Sequence, residues 1–340
     1  MSCPYNSYSE SLRKRYGSSV FRIGIDAGFS CPNRCKSPDG SGCSYCDSMG
    51  AKAAYLRTSE SSFSHSSGFV SDIDSMSQNQ KECELYSFTL DKESIKAQVE
   101  RGVEFVRRRY KTDRFSAYLQ SFSNTFAPIE KLRELYDYVL SLRHWEQLII
   151  STRPDCLDEK ILDLISSYKK DGLGVCLELG LQSGDDEILK SMRRGHDVRC
   201  LIDSANKVKD HGIELCLHIL TGYPGEGKTQ LDKTIDVINR IHPDSLKIHN
   251  LNIVSGTHLY EEFLDGEVTA PCMTRHIENV IYILRRIPSD VVIERLMCET
   301  PSHRLASPRL FADKNRFLRT LETEMERRGV LQGDLTSERS

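Results

Sequence analysis

Four cysteines, Cys31, Cys35, Cys43 and Cys46, fall close together in a chain that has twelve. Thiolates are soft ligands that suit zinc or iron–sulfur clusters. Cys43 and Cys46 form a C-x-x-C pair, a spacing that lets one tight loop present two sulfurs to one centre. Cys31 is a third candidate ligand and Cys35 a fourth. Four ligands would close a cluster or hold a zinc ion, as in a non-catalytic RNA-binding knuckle. Three would leave one metal position open, and only an open metal can bind a substrate or cofactor.

The elements around the cysteines say where such a centre would stand. An apolar run from Val20 to Ile25 reads as a strand that delivers the cysteines to its carboxyl end. A helix is predicted over Asp91–Tyr110, where Ile95, Val99, Val103 and Val106 recur at helical spacing. Strands then alternate with helices. The strands are predicted at 115–119, 147–150, 174–179, 213–220 and 245–249, and the helices at 129–142, 159–169, 185–192 and 230–240. Regular alternation means a parallel sheet, and six such units suit a closing, barrel-like sheet with its active site at the strands' carboxyl ends. Residues Tyr5–Tyr16 read as a basic lead-in lying over the first strand with its charges in solvent. The Ser-rich stretch at about 58–80 has too few large apolar residues to offset its ordering entropy, and is predicted to be a mobile insertion. A helix at 276–286, a strand at 291–296 and a helix at 315–328 make up the remainder.

Gly28-Phe29-Ser30-Cys31-Pro32-Asn33-Arg34, followed by Gly42-Cys43-x-aromatic-Cys46, resembles the radical S-adenosylmethionine (SAM) enzymes. Within them it is most similar to the YhcC-like subfamily, related to the catalytic subunit of Elongator. The resemblance runs from about residue 16 to residue 256. It implies an α/β fold, a partial (β/α)6 radical-SAM barrel over 1–256, with 257–340 as a C-terminal extension closing the mouth. It implies a [4Fe–4S] cluster on Cys31, Cys43 and Cys46, with SAM's methionine chelating the fourth iron and Tyr45 near the adenine. Reduction would then cleave SAM to a 5′-deoxyadenosyl radical that abstracts hydrogen from substrate. Cys35 departs from the relatives, which carry an acid there, and reads as a free thiol of the loop.

Further candidates stand at the strand ends. Gln120 and Ser121 close the second strand, where related enzymes meet SAM's amino group. Arg153 and Asp155 follow the third strand, as an ion pair or as substrate contacts. Glu178 is an acid on an apolar strand, costly to bury unless paired. Gln182 is placed to hydrogen-bond ribose hydroxyls. By the resemblance, Gln182 and Arg194 match SAM-binding positions, with Arg194 pairing the carboxylate. Lys247 and His249 alternate on the sixth strand, share one face, and are candidates for SAM or substrate contact.

Gly222 to Thr229 fits G-x-x-x-x-G-K-[ST] between a strand and a helix, the pattern of a phosphate-binding loop. Pro224 argues against an NTPase, because such a loop works through backbone N–H groups that proline lacks.

Composition sets the bounds. In 340 residues, 39% hydrophobic content supports a packed core, and a net charge of −3 gives no global attraction to nucleic acid. The amino terminus does not read as a signal peptide and no apolar run approaches the ~20 residues of a membrane span. Cysteine-rich sequence without a secretion signal points to a reducing, cytoplasmic setting. The implied partners are tRNA, through kinship with wobble-uridine enzymes, and an electron donor of reductase or flavodoxin/ferredoxin type. Arg13–Arg15 and Arg107–Arg109 are candidate RNA backbone contacts.

Overall fold

The computed structural model describes residues 3–36, 40, 42–47, 90–170, 172–311 and 313–336. The Ser-rich stretch at about 58–80 lies outside them. Strands β1 (Phe21–Ile25), β2 (Phe115–Leu119), β3 (Gln147–Thr152), β4 (Gly174–Gln182), β5 (Glu214–Thr221) and β6 (Ser245–Asn250) come in chain order, followed by β7 (Ile253–Val254), β8 (Val292–Arg295) and β9 (Leu305–Ser307). Helix α1 (Tyr8–Tyr16) precedes β1 and α2 (Pro32–Lys36) follows it. The crossovers hold α3 (Lys92–Tyr110), α4 (Ile129–Ser141), α5 (Glu159–Ser166), α6 (Asp186–Ser191), α7 (Val198–Asp210) and α8 (Lys228–Ile241). Helices α9 (His258–Leu264), α10 (Met273–Leu284) and α11 (Lys314–Arg328) complete the described elements.

The main sheet runs β1-β2-β3-β4-β5-β6-β8, with every neighbouring pair parallel. The strands are apolar nearly throughout because both faces are covered. Outward residues such as Leu177, Leu179, Leu217 and Ile248 pack with Leu135, Ile165, Ala205 and Ile238 of the surrounding helices. Inward residues alternate with them, among them Tyr118, Ile149, Cys176 and Cys216 in a small apolar group of their own.

Three features differ from the sequence reading. The strand expected at 291–296 is β8, and it pairs with the free edge of β6 as a seventh strand of the barrel sheet, so the sheet continues past residue 256. Residues 198–210, left without an element, form α7, capped by Asp197, whose carboxylate accepts from the N–H of Cys200. The lead-in is helix α1, which touches β1 through Arg22, a donor to the Tyr8 hydroxyl, and goes on across the strands' amino-terminal end. Its Arg15 pairs with Glu214 of β5, its Tyr8 hydroxyl donates to Gln147 of β3, and the preceding Asn6 carbonyl accepts from Ile293 of β8. With α1 over that end, the strands' carboxyl ends are left to carry the site.

Candidate active site

Chain direction places the cysteine loop at the carboxyl end of β1. Helix α2 starts the loop, with the N–H groups of Arg34 and Cys35 bonded to the Cys31 carbonyl. The Cys46 N–H returns to the Cys43 carbonyl and closes the C-x-x-C turn. Neighbouring segments hold this turn. Ser44 bonds Met192 through its N–H and accepts from Leu259 of α9 through its carbonyl. Arg304, beside β9, forms an ion pair with Asp47. In this way the segment after residue 256 fastens the cysteine loop.

Two of the sulfurs receive directed N–H groups. Asn33 Nδ2 donates to Cys43 Sγ at 3.3 Å and Arg34 Nη2 to Cys46 Sγ at 3.3 Å, while Arg194 Nη1 approaches Cys43 Sγ at 3.7 Å. Burial pushes the Cys43 thiol up, but the guanidinium groups of Arg194 and Arg153 and the Asn33 amide outweigh it and hold it below the usual thiol value. At Cys46 burial prevails over Arg34, and the thiol is raised. Cys35 is exposed, with its sulfur 3.9 Å from Ser30 Oγ.

Arg194 is buried, and among the described residues it forms no ion pair with a carboxylate. Its Nη2 donates to the Gly180 carbonyl at 3.1 Å, and its Nε is buried without a partner among the described residues. Gly180 makes the approach possible. A Cβ there would stand 2.5 Å from Arg194 Nη2 and 2.6 Å from Gln182 Nε2, so the missing side chain is what lets the two polar groups converge. Arg153 supports the same turn, bidentate on Asp155 at 2.8 and 2.9 Å and donating to the Arg194 carbonyl at 3.0 Å. Gly195, at φ +79°, brings the turn onto Asn33, whose Oδ1 lies 2.2 Å from where a Cβ would be. Asn124 braces the turn that follows β2. Its amide donates to the carbonyls of Leu119, Ser121 and Ser151, fixing the turn that carries Gln120 and Ser121 at the end of β2. The Ser123 N–H ties that turn to Ser30 of the cysteine loop. Tyr45, inside the C-x-x-C, packs its ring against Tyr223 at 5.8 Å.

Glu178 and Lys247, expected among the cofactor contacts, are instead partners of each other. Glu178 lies four residues, ~13 Å, before the end of β4. Its Oε1 accepts from Lys247 at 2.5 Å and Arg22 at 2.7 Å. Its Oε2 accepts from Tyr118, Ser151 and His218 at 2.8, 2.8 and 2.9 Å. Glu294 of β8 takes the other side of Arg22. Burial would raise the Glu178 carboxyl, but Lys247 and Arg22 hold it well below its ordinary value. Burial and Lys247 lower His218, so it stays neutral and donates its Nε2–H. His249 lies with its ring 5.5 Å from His218, and its buried Nε2 has no partner among the described residues. Lys247 thus belongs to the barrel's interior, while His249 retains a group able to meet a ligand.

The family model of the Radical SAM superfamily matches residues 31–238, and that of the Radical_SAM C-terminal domain matches 243–327.

The chain belongs to the radical SAM superfamily.

It is 28% identical to Protein YhcC of Escherichia coli over 303 residues, covering 89% of this chain and 86% of that protein. It is 33% identical to a tRNA uridine(34) acetyltransferase of Methanocaldococcus infernus over 159 residues, which is 46% of this chain and 29% of that one. Among solved structures, archaeal Methanocaldococcus infernus Elp3 with an N-terminal deletion superposes with a TM-score of 0.61 at 22% identity, covering 72% of this chain and 63% of that chain. The partial parallel barrel is therefore the radical SAM fold.

As a radical SAM enzyme the protein uses a [4Fe–4S] cluster and SAM. Its residues fit both. Soft sulfur donors share one loop, and the Gly180 hollow holds a cationic side chain with an orphaned N–H. Among the described residues, no three of the loop cysteines bring their sulfurs within 4.8 Å of one another.

The phosphate-loop pattern is filled by the protein itself. Glu226 turns its carboxylate back onto the Gly222 N–H, and Pro271 packs where a Gly222 side chain would be. Burial raises Glu226 to about 7. This acid's folded value lies above its unfolded one. As pH rises from about 4.5 to 7, the unfolded chain therefore gives up a proton that the native state keeps, and stability falls. Glu226→Gln should flatten this fall, lifting the thermal midpoint at pH 8 by about a few degrees while leaving pH 5 unchanged. A parallel pH dependence in both proteins would refute the assignment.

The basic runs lie away from this site. Arg13–Arg15 end α1 and Arg107–Arg109 end α3, both at the strands' amino-terminal side, with Arg15 on Glu214 and Arg107 on Asp113. Among the described residues no helix is long and apolar enough to cross a membrane.

Proposed function

We propose that Cys31, Cys43 and Cys46 hold the [4Fe–4S] cluster. SAM would lie between it and the Gly180 hollow, and the enzyme would act on a uridine of tRNA. The observation that carries the reading is Arg194, a buried guanidinium with an orphaned Nε standing beside the cysteine sulfurs. When bound, the two cofactors supply reductive cleavage of a sulfonium and, from it, hydrogen abstraction from a carbon that acid–base chemistry leaves inert. The chain's own residues bind, orient and exclude water. Arg194 pairs the methionine carboxylate in the planar geometry guanidinium favours. Gln182 meets ribose hydroxyls, Gln120 and Ser121 meet the amino group, and Tyr45 borders the adenine. His249 faces substrate or SAM from the interior.

The tRNA reading is supported by the 33% identity with a tRNA uridine(34) acetyltransferase and by the fold shared with Elp3. We place the enzyme in the cytoplasm with a flavodoxin- or ferredoxin-type donor, or a reductase feeding one. Anaerobically reconstituted protein given SAM and a strong reductant should release 5′-deoxyadenosine, and unmodified tRNA should raise the yield several-fold. Nucleoside profiles of tRNA from a deletion strain should lose one uridine derivative. A yield indifferent to tRNA, with an unchanged profile, would remove the substrate and leave the chemistry standing.

A further inference from the structure

An iron–sulfur cluster's reduction potential depends on net charge and on hydrogen bonds to its sulfurs. Reduction makes the centre more negative, so each N–H aimed at a ligating sulfur, and each cation beside one, favours the reduced state. This chain distributes such donors unevenly. Arg34 reaches Cys46 Sγ at 3.3 Å and Asn33 reaches Cys43 Sγ at 3.3 Å. Among the described residues, no side-chain donor bonds the sulfur of Cys31.

Arg34 is held in this position by everything around it. Its Nη2 also donates to the carbonyls of Cys46 at 3.3 Å and Asp47 at 2.8 Å, and its guanidinium lies 5.3 Å from the centre of the Phe122 ring. Gly42 clears the path of its stem, since a Cβ there would stand 2.8 Å from Arg34 Cγ. No carboxylate forms an ion pair with Arg34 among the described residues, so its charge faces the sulfur uncompensated. Asn33 is equally fixed, because its second amide hydrogen is taken by the Arg193 carbonyl at 2.8 Å. Both side chains extend from α2, beside Cys31, and reach back over the C-x-x-C turn.

We propose that Arg34, assisted by Asn33, sets the reduction potential of the cluster by raising it through Cys46 and Cys43. The proposal rests on the reading of Cys31, Cys43 and Cys46 as the ligands. It gives Arg34 and Asn33 a tuning role, distinct from binding SAM, and lowers the demand on the electron donor.

The test is a redox titration of anaerobically reconstituted protein, followed by electron paramagnetic resonance and normalised to iron content. Arg34→Met keeps an unbranched apolar stem and removes both donor and charge. At a fixed poised potential its ratio of reduced to oxidised cluster should fall about tenfold, a shift of about 59 mV to more negative values for one electron. Asn33→Asp keeps the shape, removes the donor and adds a negative charge, and should shift the midpoint the same way. Arg34→Lys, which keeps the charge but not the fork, should fall between parent and Arg34→Met. A purely structural role for Arg34 would lower iron content and leave the midpoint of the remaining cluster where it was. If Arg34→Met assembles no cluster, Asn33→Asp and Arg34→Lys decide. Midpoints equal to the parent's, or shifted positive, in variants with full iron overturn the proposal. Full iron retained by Cys43→Ala would instead overturn the ligand assignment beneath it.

Discussion

Cys43→Ala should yield a colourless protein after reconstitution, with 5′-deoxyadenosine formation reduced more than about 100-fold. Losing an outer-shell partner of a metal ligand already costs 10–100-fold, and here a ligand itself is removed. Cys43 is the buried member of the loop, set among Asn33, Arg194 and Arg153. Alanine would leave two guanidinium groups facing an apolar methyl. Cys31→Ala and Cys46→Ala should behave alike. Cys35→Ala is the informative control, because its thiol is exposed and turned to Ser30. It should keep iron, colour and product. Equal loss in the Cys35 and Cys43 variants would mean a four-sulfur centre without room for SAM, and the proposed chemistry would fall. Iron content, the visible absorbance of the cluster and product yield measure the same question independently.

The barrel was legible because its signals are local. Each crossover strand is a short apolar run, and the 115–119 strand was placed to the residue. Spacing and a motif single out Cys31, Cys43 and Cys46, and the structure sets them in one loop after β1. What escaped depends on contacts distant in sequence. The parallel pairing of Val292–Arg295 with Ser245–Asn250 is set by the open edge of β6, which no local pattern displays. Helix α7 had its signals in place, Asp197 as cap and Leu201, Ala205 and Val208 at helical spacing. Asp197 is the cap, and Gly195 is required by the approach of Asn33. The same limit explains Glu178. A buried acid announced a partner, but not that five donors from β1, β2, β3, β5 and β6 would supply it.

That network yields the largest expected change in stability. Glu178→Ala would leave Lys247 and Arg22 buried with Glu294 alone to balance them, and should destabilise the fold by about 3–5 kcal/mol, the usual result of breaking a buried pair from one side. Removing the charges together costs far less than removing one. Glu178→Gln with Lys247→Met should therefore recover most of the loss, and a double-mutant cycle should return a coupling well beyond the additive expectation. The pH dependence has a definite sign. Lys247 and Arg22 depress the Glu178 carboxyl, so its contribution is present above the unfolded carboxylate value of about 4.3 and is lost as pH falls through the lower folded value. Glu178 holds Lys247 above the ordinary lysine value against burial and Arg22, so that contribution is present below about 10.4 and is lost as pH rises through the raised value. The paired variant should lose both edges, giving a flatter stability profile at acid and alkaline pH. Denaturant unfolding across pH, read at constant m, measures this. SAM affinity in the paired variant separates structure from site. If the two residues serve only the interior, affinity is kept once the protein is folded. A folded paired variant that no longer binds SAM would return Glu178 and Lys247 to the cofactor site.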